Sequence, residues 1–201
     1  MTVEVGQIAK DFTCSAVSET GELIDQFNLF ESSKDQYVVL FFYPLDFTFV
    51  CPTEMLALNK RMQAFKQLNT KVVTVSIDSA FTHLRWRQTP INDGGIGAVN
   101  YTMAADVSHQ ICRDYGVEHA QEHVAYRASI IIDKERRVRI KHINDLPVGR
   151  NIDELVRSVQ ALQHVEKYGE VCQAGWQEGR SGFQANPEGV SSFLKEKVEE
   201  L

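Results

Sequence analysis

The chain has 201 residues, of which 43% are hydrophobic and 24% charged, so its composition is that of a globular protein with one substantial core. Twenty-one Lys and Arg against twenty-seven Asp and Glu give a net charge of -6, which argues against nucleic acid or an anionic membrane as the main partner, because phosphate binding needs a cationic surface. The longest strongly apolar stretch, YVVLFFYPL, is far shorter than the roughly 20 residues that cross a bilayer, so we expect no membrane-spanning segment.

The N-terminal sequence MTVEVGQIAKDFTC lacks a basic start followed by an apolar run, so we expect no secretory signal and a cytoplasmic location. No run of Pro, Gly or Ser marks a linker in the middle of the chain. We therefore expect one domain followed by a C-terminal extension.

The first strong structural signal is Tyr37 to Tyr43, a continuous run of β-branched and aromatic residues that is typical of a strand buried on both faces. This run ends at Pro44. A helix is predicted to begin at Cys51 and Pro52, because proline suits the first helical position, where its missing N–H costs nothing. Apolar residues then recur at three- and four-residue steps, at Met55, Leu58, Met62 and Phe65.

The elements that follow alternate in type. Val72 to Ile77 is a predicted strand, Ser79 to Gln88 is a short amphipathic stretch, and Ala128 to Asp133 and Val138 to Ile143 are two further strands. A long helix that ends near Gly169 is predicted from the spacing of Ile152, Leu155, Val156, Val159 and Leu162. Strands that alternate with helices predict an α/β fold with a partly parallel sheet.

After Gly169 the sequence becomes polar and rich in turn residues, and only Val190 to Val198 has the spacing of a last short helix. This tail has too few apolar residues to fold alone. We expect it to pack on the domain or on a partner subunit.

Four cysteines are present, and none belongs to a C-x-x-C pair: Cys14, Cys51, Cys112 and Cys172. Their spacing excludes a zinc ribbon and a thioredoxin-type dithiol. Scattered cysteines in a reducing compartment are more often buried small side chains than disulfides, and we interpret Cys14 and Cys112 in this way.

The most informative segment is FFYPLDFTFVCPTE, in which a strand ends, a loop follows and Cys51 stands at the first turn of a helix. Unpaired backbone N–H groups and the positive end of the helix dipole stabilise an anion there, and the thiolate is the reactive form of cysteine. A cysteine that only fills space at the helix start is the alternative. Thr48 precedes Cys51 by three residues, so T-x-x-C stands where a thioredoxin fold carries C-x-x-C after its first strand.

Pro44, Thr48 and Cys51 in P-x-x-x-T-x-x-C, followed by Pro52, resemble the active-site signature of the peroxiredoxins, thiol peroxidases with a thioredoxin-like fold. Further blocks resemble the typical two-cysteine subgroup in the same order and at compatible spacing: DYGV at 114–117, AYRASIIID at 125–133, NDLPVGR at 144–150 and GEVCQAGW at 169–176. The resemblance implies a thioredoxin-like α/β fold with a central mixed sheet flanked by helices. It implies a peroxidase domain over residues 1–168 and a C-terminal arm over residues 169–201.

The resemblance also implies a role for five site residues: Cys51 is the peroxidatic cysteine, Thr48 and Arg127 are its immediate partners, Glu54 orients the arginine, and Cys172 is the resolving cysteine. From the chemistry of the site, we expect Pro44 to wall the pocket from water. In the resembling family the tail crosses to a second subunit, so the implied disulfide is intermolecular. Such dimers commonly join into rings of five. Gln173 stands where that family usually has a proline, which does not remove the neighbouring sulfur.

The chemistry requires more than a reactive thiolate. A free thiol with a pKa of ~8.5 is only ~3% ionised at pH 7, so complete ionisation gains at most ~30-fold in rate. The larger share must come from donors that align the peroxide and meet the charge that grows on the leaving oxygen. The Thr48 hydroxyl, the Cys51 backbone N–H and the Arg127 guanidinium are suitable donors, although an arginine at a strand end can also simply be solvated at the surface.

The sequence therefore predicts a peroxidase that reduces hydrogen peroxide and organic hydroperoxides without a metal or another cofactor, with electrons from thioredoxin or a dedicated disulfide reductase. One alternative is a ring-forming holdase chaperone or scaffold. Loss of peroxide consumption in Cys51→Ser would favour the peroxidase over this alternative. A second alternative, a general thiol–disulfide oxidoreductase, is disfavoured because Thr48 replaces the first cysteine.

One motif points elsewhere. His119, Glu122 and His123 spell H-x-x-E-H, the inverted zinc-protease motif, whose histidines must share one face of a helix. Here no helical pattern surrounds the motif, so we expect surface polar residues and no metal site.

Overall fold

The computed structural model describes residues 2–200, and its central feature is a seven-stranded mixed sheet. The strands lie in the order β2-β1-β5-β4-β3-β6-β7. Their bounds are β1 Thr13–Val17, β2 Leu23–Asn28, β3 Tyr37–Phe42, β4 Thr70–Ser76, β5 Thr102–Ala105, β6 Arg127–Ile132 and β7 Val138–Asn144. The helices are α1 Leu29–Ser32, α2 Cys51–Gln67, α3 Ala80–Gln88, α4 Gln110–Asp114, α5 Ile152–Tyr168 and α6 Pro187–Lys197, with short 3-10 helices at Ile91–Asp93 and Val198–Glu200.

The sheet is parallel only in its middle. Strand β3 pairs parallel with β4, and β4 pairs parallel with β5, whereas β6 pairs antiparallel with both β3 and β7. All six residues of β3 are buried. The prediction of an α/β fold with a partly parallel sheet is confirmed.

Strand β3 fixes the position of the loop that leads to Cys51. Because β6 runs antiparallel to β3, the first residue of β6, Arg127, lies beside the C-terminal end of β3. The register places Phe41 opposite Ser129, two residues after Arg127. The topology therefore places Arg127 near the end of β3, where the loop to α2 begins.

Several elements were not predicted from the sequence: β1, β2, β5, α1 and α4. Strand β5 has the sequence TMAA, four buried residues with little β-branched character, and α4 has only five residues. The strands with long apolar runs, by contrast, begin and end within a few residues of their predicted bounds. Helix α6 begins three residues before Val190, because Asn186 caps it by accepting a hydrogen bond from the Gly189 N–H at 2.7 Å and Pro187 stands in its first turn.

The chain divides into two compact units, of which the first ends at Ile152 and the second begins at Asp153. In the first unit, alternate residues of β3 and β6 contribute to one hydrophobic cluster, among them Val38, Leu40, Phe42, Ile130 and Ile132. In the second unit the tail after α5 has a small core of its own, in which the rings of Phe183 and Phe193 stack at 4.9 Å. The boundary at residues 168 and 169 stays a prediction, and the predicted end points, residues 1 and 201, lie outside the described residues.

Over residues 2–200, no helix combines the length and the apolar character that crossing a bilayer requires.

Candidate active site

The candidate site is built around Cys51, the first residue of α2. Its side chain is buried, with 0% of the residue exposed to solvent. The first turn of the helix is closed by the backbone N–H groups of Thr53 and Glu54, which both donate to the Val50 carbonyl. The sulfur therefore lies at the positive end of a 17-residue helix, where a negative charge is stabilised.

Arg127 contacts this sulfur directly. Its Nη1 lies 3.4 Å from Cys51 Sγ and donates to Glu54 Oε2 at 2.9 Å, while its Nε donates to the Leu146 carbonyl at 2.5 Å. Only 4% of Arg127 is exposed, which excludes the alternative of an arginine solvated at the surface. The planar guanidinium thus bridges the thiol, a carboxylate and a backbone carbonyl, which the single point charge of a lysine cannot do.

Glu54 lies one turn after Cys51 on the same helix face and accepts hydrogen bonds from two arginines. Besides Arg127, it binds Arg150, whose backbone N–H and Nε donate to Oε1 at 2.7 and 2.9 Å and whose Nη2 donates to Oε2 at 2.9 Å. The expected contact between Glu54 and Arg127 is present, and both residues are buried.

The sequence did not single out Arg150, although it ends the matched block NDLPVGR. Its Nη1 donates to the Ala128 carbonyl at 2.6 Å and to Ser129 Oγ at 3.1 Å, and its guanidinium lies 3.3 Å from the centre of the Phe41 ring. Arg150 thus contacts residues of α2, β3 and β6. No local pattern marks it, because its partners are distant in the chain.

The charges of this cluster leave a net positive charge near Cys51. Burial by itself raises the pKa of Glu54, but the hydrogen bonds and charge of Arg150, with the charge of Arg127, outweigh it and hold the pKa below its ordinary value. Glu54 is therefore ionised and neutralises one of the two guanidinium charges. One positive charge remains beside the sulfur, and burial lets it act with little screening.

The loop between β3 and α2 carries Pro44 and Thr48. Pro44 is buried, and Thr48 is partly exposed. The Thr48 hydroxyl donates its proton to the Leu45 carbonyl at 2.9 Å. In this arrangement the hydroxyl offers lone pairs to a bound molecule rather than a proton, so the expectation that Thr48 acts as a donor changes to one in which it accepts.

A buried polar network anchors the same loop and was not predicted. The Asp46 N–H donates to Asp78 Oδ2 at 3.0 Å, while the Asp46 carboxylate accepts from the Tyr43 hydroxyl at 2.6 Å and lies 2.8 Å from His83 Nδ1. Asp46, Asp78 and His83 each have a ligand atom within 4.8 Å of the others. The Tyr43 hydroxyl donates a hydrogen bond to Asp46, and the Ser76 hydroxyl donates one to Asp78. We therefore interpret the network as an anchor for the loop.

The H-x-x-E-H motif does not lie on a helix. The chain is in a turn at this point, and His119 Nδ1 accepts from the backbone N–H groups of Gln121 and Glu122. The two histidines do not share a helix face, as an inverted zinc-protease site requires.

The other cysteines have different surroundings. Burial raises the pKa of Cys14 to about 12 and also raises that of Cys112, so both remain protonated thiols. Cys172 is partly exposed. Burial raises its pKa, which Arg157 opposes and Glu170 reinforces.

The mixed sheet and the buried cysteine at a helix start beside an arginine are typical of cysteine-dependent enzymes with a thioredoxin-like fold. Comparison with known families agrees with this class: the AhpC/TSA family matches residues 5–141, and the C-terminal domain of 1-Cys peroxiredoxin matches residues 161–196. The chain belongs to the AhpC/TSA family of peroxiredoxins and is a peroxidase.

Individual relatives cover nearly the whole chain. Alkyl hydroperoxide reductase C of Buchnera aphidicola subsp. Baizongia pistaciae is 48% identical over 93% of this chain and 94% of its own length, and peroxiredoxin prdx-2 of Caenorhabditis elegans is 47% identical over 95% and 94%. Among solved structures, the reduced 2-Cys peroxiredoxin of Plasmodium vivax superposes with a TM-score of 0.91 at 41% identity, over 95% of this chain and 98% of its own. The predicted thioredoxin-like fold and the predicted family are confirmed.

Exchanging Glu54 for glutamine is expected to destabilise the protein in a pH-dependent way. The pKa of Glu54 is lower in the folded state than its ordinary value of about 4.3. Between these two pKa values, the folded state therefore binds fewer protons than the unfolded state. Its stabilisation is therefore complete above about pH 5 and is lost as the pH falls through the folded-state pKa. Above pH 5, Glu54→Gln should lower the free energy of unfolding by about 3 kcal/mol, because two buried guanidiniums lose their carboxylate.

Urea denaturation between pH 3 and pH 7 measures this difference, with Glu22→Gln, an exposed glutamate, as the control. The difference between Glu54→Gln and the wild type should shrink towards low pH. A deficit that is the same at every pH would contradict the role of the charge.

Proposed function

We propose that the chain reduces hydrogen peroxide and organic hydroperoxides through Cys51. The Cys51 thiolate attacks one peroxide oxygen, the O–O bond breaks, and the leaving oxygen takes up a proton to become water or an alcohol. The sulfur is oxidised to a sulfenic acid. The observation that carries the proposal is the 3.4 Å contact between Arg127 Nη1 and Cys51 Sγ, both of which belong to buried residues.

Three groups would act on the peroxide. The Arg127 guanidinium stabilises the charge on the leaving oxygen, and the backbone N–H groups at the start of α2 assist it. The Thr48 hydroxyl, whose proton is held by the Leu45 carbonyl, accepts a hydrogen bond from the peroxide O–H and so aligns the molecule with the sulfur. Pro44 is buried and excludes water from one side.

Two further residues would position the arginine. Glu54 holds Arg127 by an ion pair at 2.9 Å and is itself held by three hydrogen bonds from Arg150. Arg127 therefore cannot swing away from the sulfur without breaking an ion pair inside the protein. Such support fixes the donor before the reaction begins, so no reorganisation is required in the transition state.

Cys172 is proposed as the resolving cysteine that condenses with the Cys51 sulfenic acid of a partner subunit. Burial raises the pKa of Cys14 to about 12 and also raises that of Cys112. Burial raises the pKa of Cys172 too, but there the positive charge of Arg157 opposes the rise, and Cys172 lies on a polar arm. The smallest competent unit in this proposal is a homodimer, and five such dimers form a ring.

Peroxide treatment is expected to link two chains through Cys51 and Cys172. Protein exposed to one equivalent of peroxide should run as a dimer on a non-reducing denaturing gel and as a monomer after reduction. Cys172→Ser should remain monomeric in both lanes, and Cys14→Ser should behave as the wild type. A wild-type chain that stays monomeric after oxidation would indicate an intrachain bond or an unresolved sulfenic acid instead.

Thioredoxin or a dedicated disulfide reductase is proposed as the electron donor. Relatives carry names of both kinds, alkyl hydroperoxide reductase C and, for a Plasmodium yoelii protein, thioredoxin peroxidase I. Steady-state peroxide turnover with each reductant distinguishes the two donors. We also propose a cytoplasmic location, where such reductants keep thiols reduced.

A further inference from the structure

The surroundings of Cys172 are organised by one face of α5. The Cys172 thiol donates to the Ala161 carbonyl, with Sγ 3.7 Å from the oxygen. Arg157 lies four residues before Ala161, one turn earlier on the same face. Cys172 is therefore seated on the helix surface that carries the arginine.

Arg157 is held at both ends of its guanidinium. Its Nε and Nη2 donate to the two carboxylate oxygens of Glu154 at 2.6 Å each, and its Nη1 donates to the Trp176 carbonyl at 2.9 Å. Such a two-bond pair between an arginine and a carboxylate fixes the plane of the guanidinium. The remaining nitrogen then holds the segment that follows Cys172.

The segment from Cys172 to Trp176 is a closed turn. The Trp176 N–H donates to the Gln173 carbonyl at 3.1 Å, and its indole Nε1 donates to the Arg180 carbonyl at 2.9 Å. Only 2% of Trp176 is exposed. Because Arg157 binds the carbonyl at the end of this turn, it fixes the distance between the turn and α5, and with it the position of Cys172.

Two charged groups act on the Cys172 sulfur. Burial raises the pKa of Cys172, the positive charge of Arg157 opposes that rise, and the carboxylate of Glu170 adds to it. Glu170 Oε2 lies 3.1 Å from His164 Nε2 and accepts a hydrogen bond from the Gly182 N–H at 3.0 Å. Arg157 is the charge that favours the thiolate.

We propose that Arg157 is a positioning residue for the resolving step, which holds the 172–176 turn on α5 and stabilises negative charge on the Cys172 sulfur. The inference rests on the proposed function of Cys172. In that step the Cys172 thiolate attacks the Cys51 sulfur, the S–S bond forms and the S–O bond breaks. The departing hydroxide takes the proton that Cys172 released, so a thiol and a sulfenic acid give a disulfide and water.

The experiment measures disulfide formation after one equivalent of peroxide has converted Cys51 to the sulfenic acid. The reaction is stopped with acid at successive times and the linked chains are counted on non-reducing gels, from pH 6 to pH 9. Each unit by which the Cys172 pKa rises lowers the thiolate fraction about tenfold at neutral pH, and the greater nucleophilicity of a more basic thiolate recovers about threefold of that. Arg157→Gln should therefore form the disulfide about three to ten times more slowly at pH 7, with its rate profile displaced to higher pH.

Two further variants separate the charge from the fold. Arg157→Lys keeps the positive charge without the two-bond fork, so it should restore part of the pH profile. Arg180→Gln makes the same change at an exposed arginine of the same unit and should match the wild type. Slower resolution in Arg157→Gln should also raise the fraction of Cys51 found as sulfinic acid by mass spectrometry, because a second peroxide competes for the same sulfenic acid.

Two outcomes would overturn the inference while leaving the proposed function intact. In the first, Arg157→Gln and Arg180→Gln form the disulfide at equal rates at every pH. In the second, Arg157→Gln is slower by a constant factor and Arg157→Lys does not restore the profile. If instead the wild type and Arg180→Gln form no Cys51–Cys172 disulfide, the proposed role of Cys172 fails first, and the inference falls with it.

Discussion

Replacing Cys51 with serine is expected to lower first-turnover consumption of peroxide by roughly three to four orders of magnitude. The serine hydroxyl cannot form a sulfenic acid, so the residual reaction is that of ordinary thiols, which lack the roughly 30-fold gain of complete ionisation and the roughly 10²–10³-fold gain from aligned donors. No other thiol can substitute. Burial raises the pKa of Cys14 to about 12 and also raises that of Cys112, and neither lies at the start of a helix beside a buried arginine.

The measurement is made without reductant, by following one equivalent of peroxide with a dye assay. Cys172→Ser should consume one peroxide per chain, since it retains the Cys51 pocket and lacks only the resolving thiol. Cys14→Ser is the matched control and should behave as the wild type. Undiminished first turnover in Cys51→Ser would refute the assignment of the peroxidatic cysteine.

The part of this site that could be predicted from the sequence is the part that is local in the chain. Cys51 and Glu54 are three residues apart in the first turn of a helix, so their proximity follows from helix geometry, and Thr48 lies three residues before Cys51 in the loop that leads to it. The strand before them was visible because β3 is buried on both faces and therefore continuously apolar.

The remaining parts depend on contacts between distant segments. Arg127 could be placed beside Cys51 only through the family resemblance, because the contact spans 76 residues and depends on β6 pairing antiparallel with β3. Arg150 was not singled out, because its partner Glu54 lies 96 residues away. The contact between Asp46 and His83 spans 37 residues and forms only when α3, which carries His83, packs beside the loop. No periodicity in the sequence predicts this contact.

The arginines also explain why the site is costly to build. Two guanidiniums and one carboxylate are nearly fully buried, and burying charges costs several kcal/mol per ion unless each is paired and hydrogen-bonded. Here Glu54 pairs with both arginines, and the carbonyls of Leu146 and Ala128 accept further hydrogen bonds from their N–H groups. Hydrophobic side chains in place of these three charged ones would avoid the free-energy cost of burying ions. We therefore attribute the presence of the charges to chemistry at the sulfur and not to stability.

Arg127→Lys tests what that charge does. Lysine keeps a positive charge but cannot bridge Cys51, Glu54 and the Leu146 carbonyl at once. We expect the second-order rate constant with hydrogen peroxide to fall about 10²–10³-fold, the usual cost of losing a donor aimed at a developing oxyanion. Reaction of Cys51 with a neutral alkylating reagent such as iodoacetamide, which has no O–O bond to break, should fall by no more than the roughly 30-fold that complete loss of ionisation allows.

The ratio of the two rate constants separates two roles of Arg127, and Arg113→Lys, at an exposed arginine on α4, is the control in which neither should change. If Arg127 acted only by keeping the sulfur ionised, peroxide and iodoacetamide would slow by the same factor. If it also stabilises the leaving oxygen, the peroxide reaction loses at least several-fold more. Equal losses would show that the guanidinium serves the thiolate alone, and the peroxide specificity of the pocket would then have to come from Thr48 and the backbone N–H groups at the start of α2.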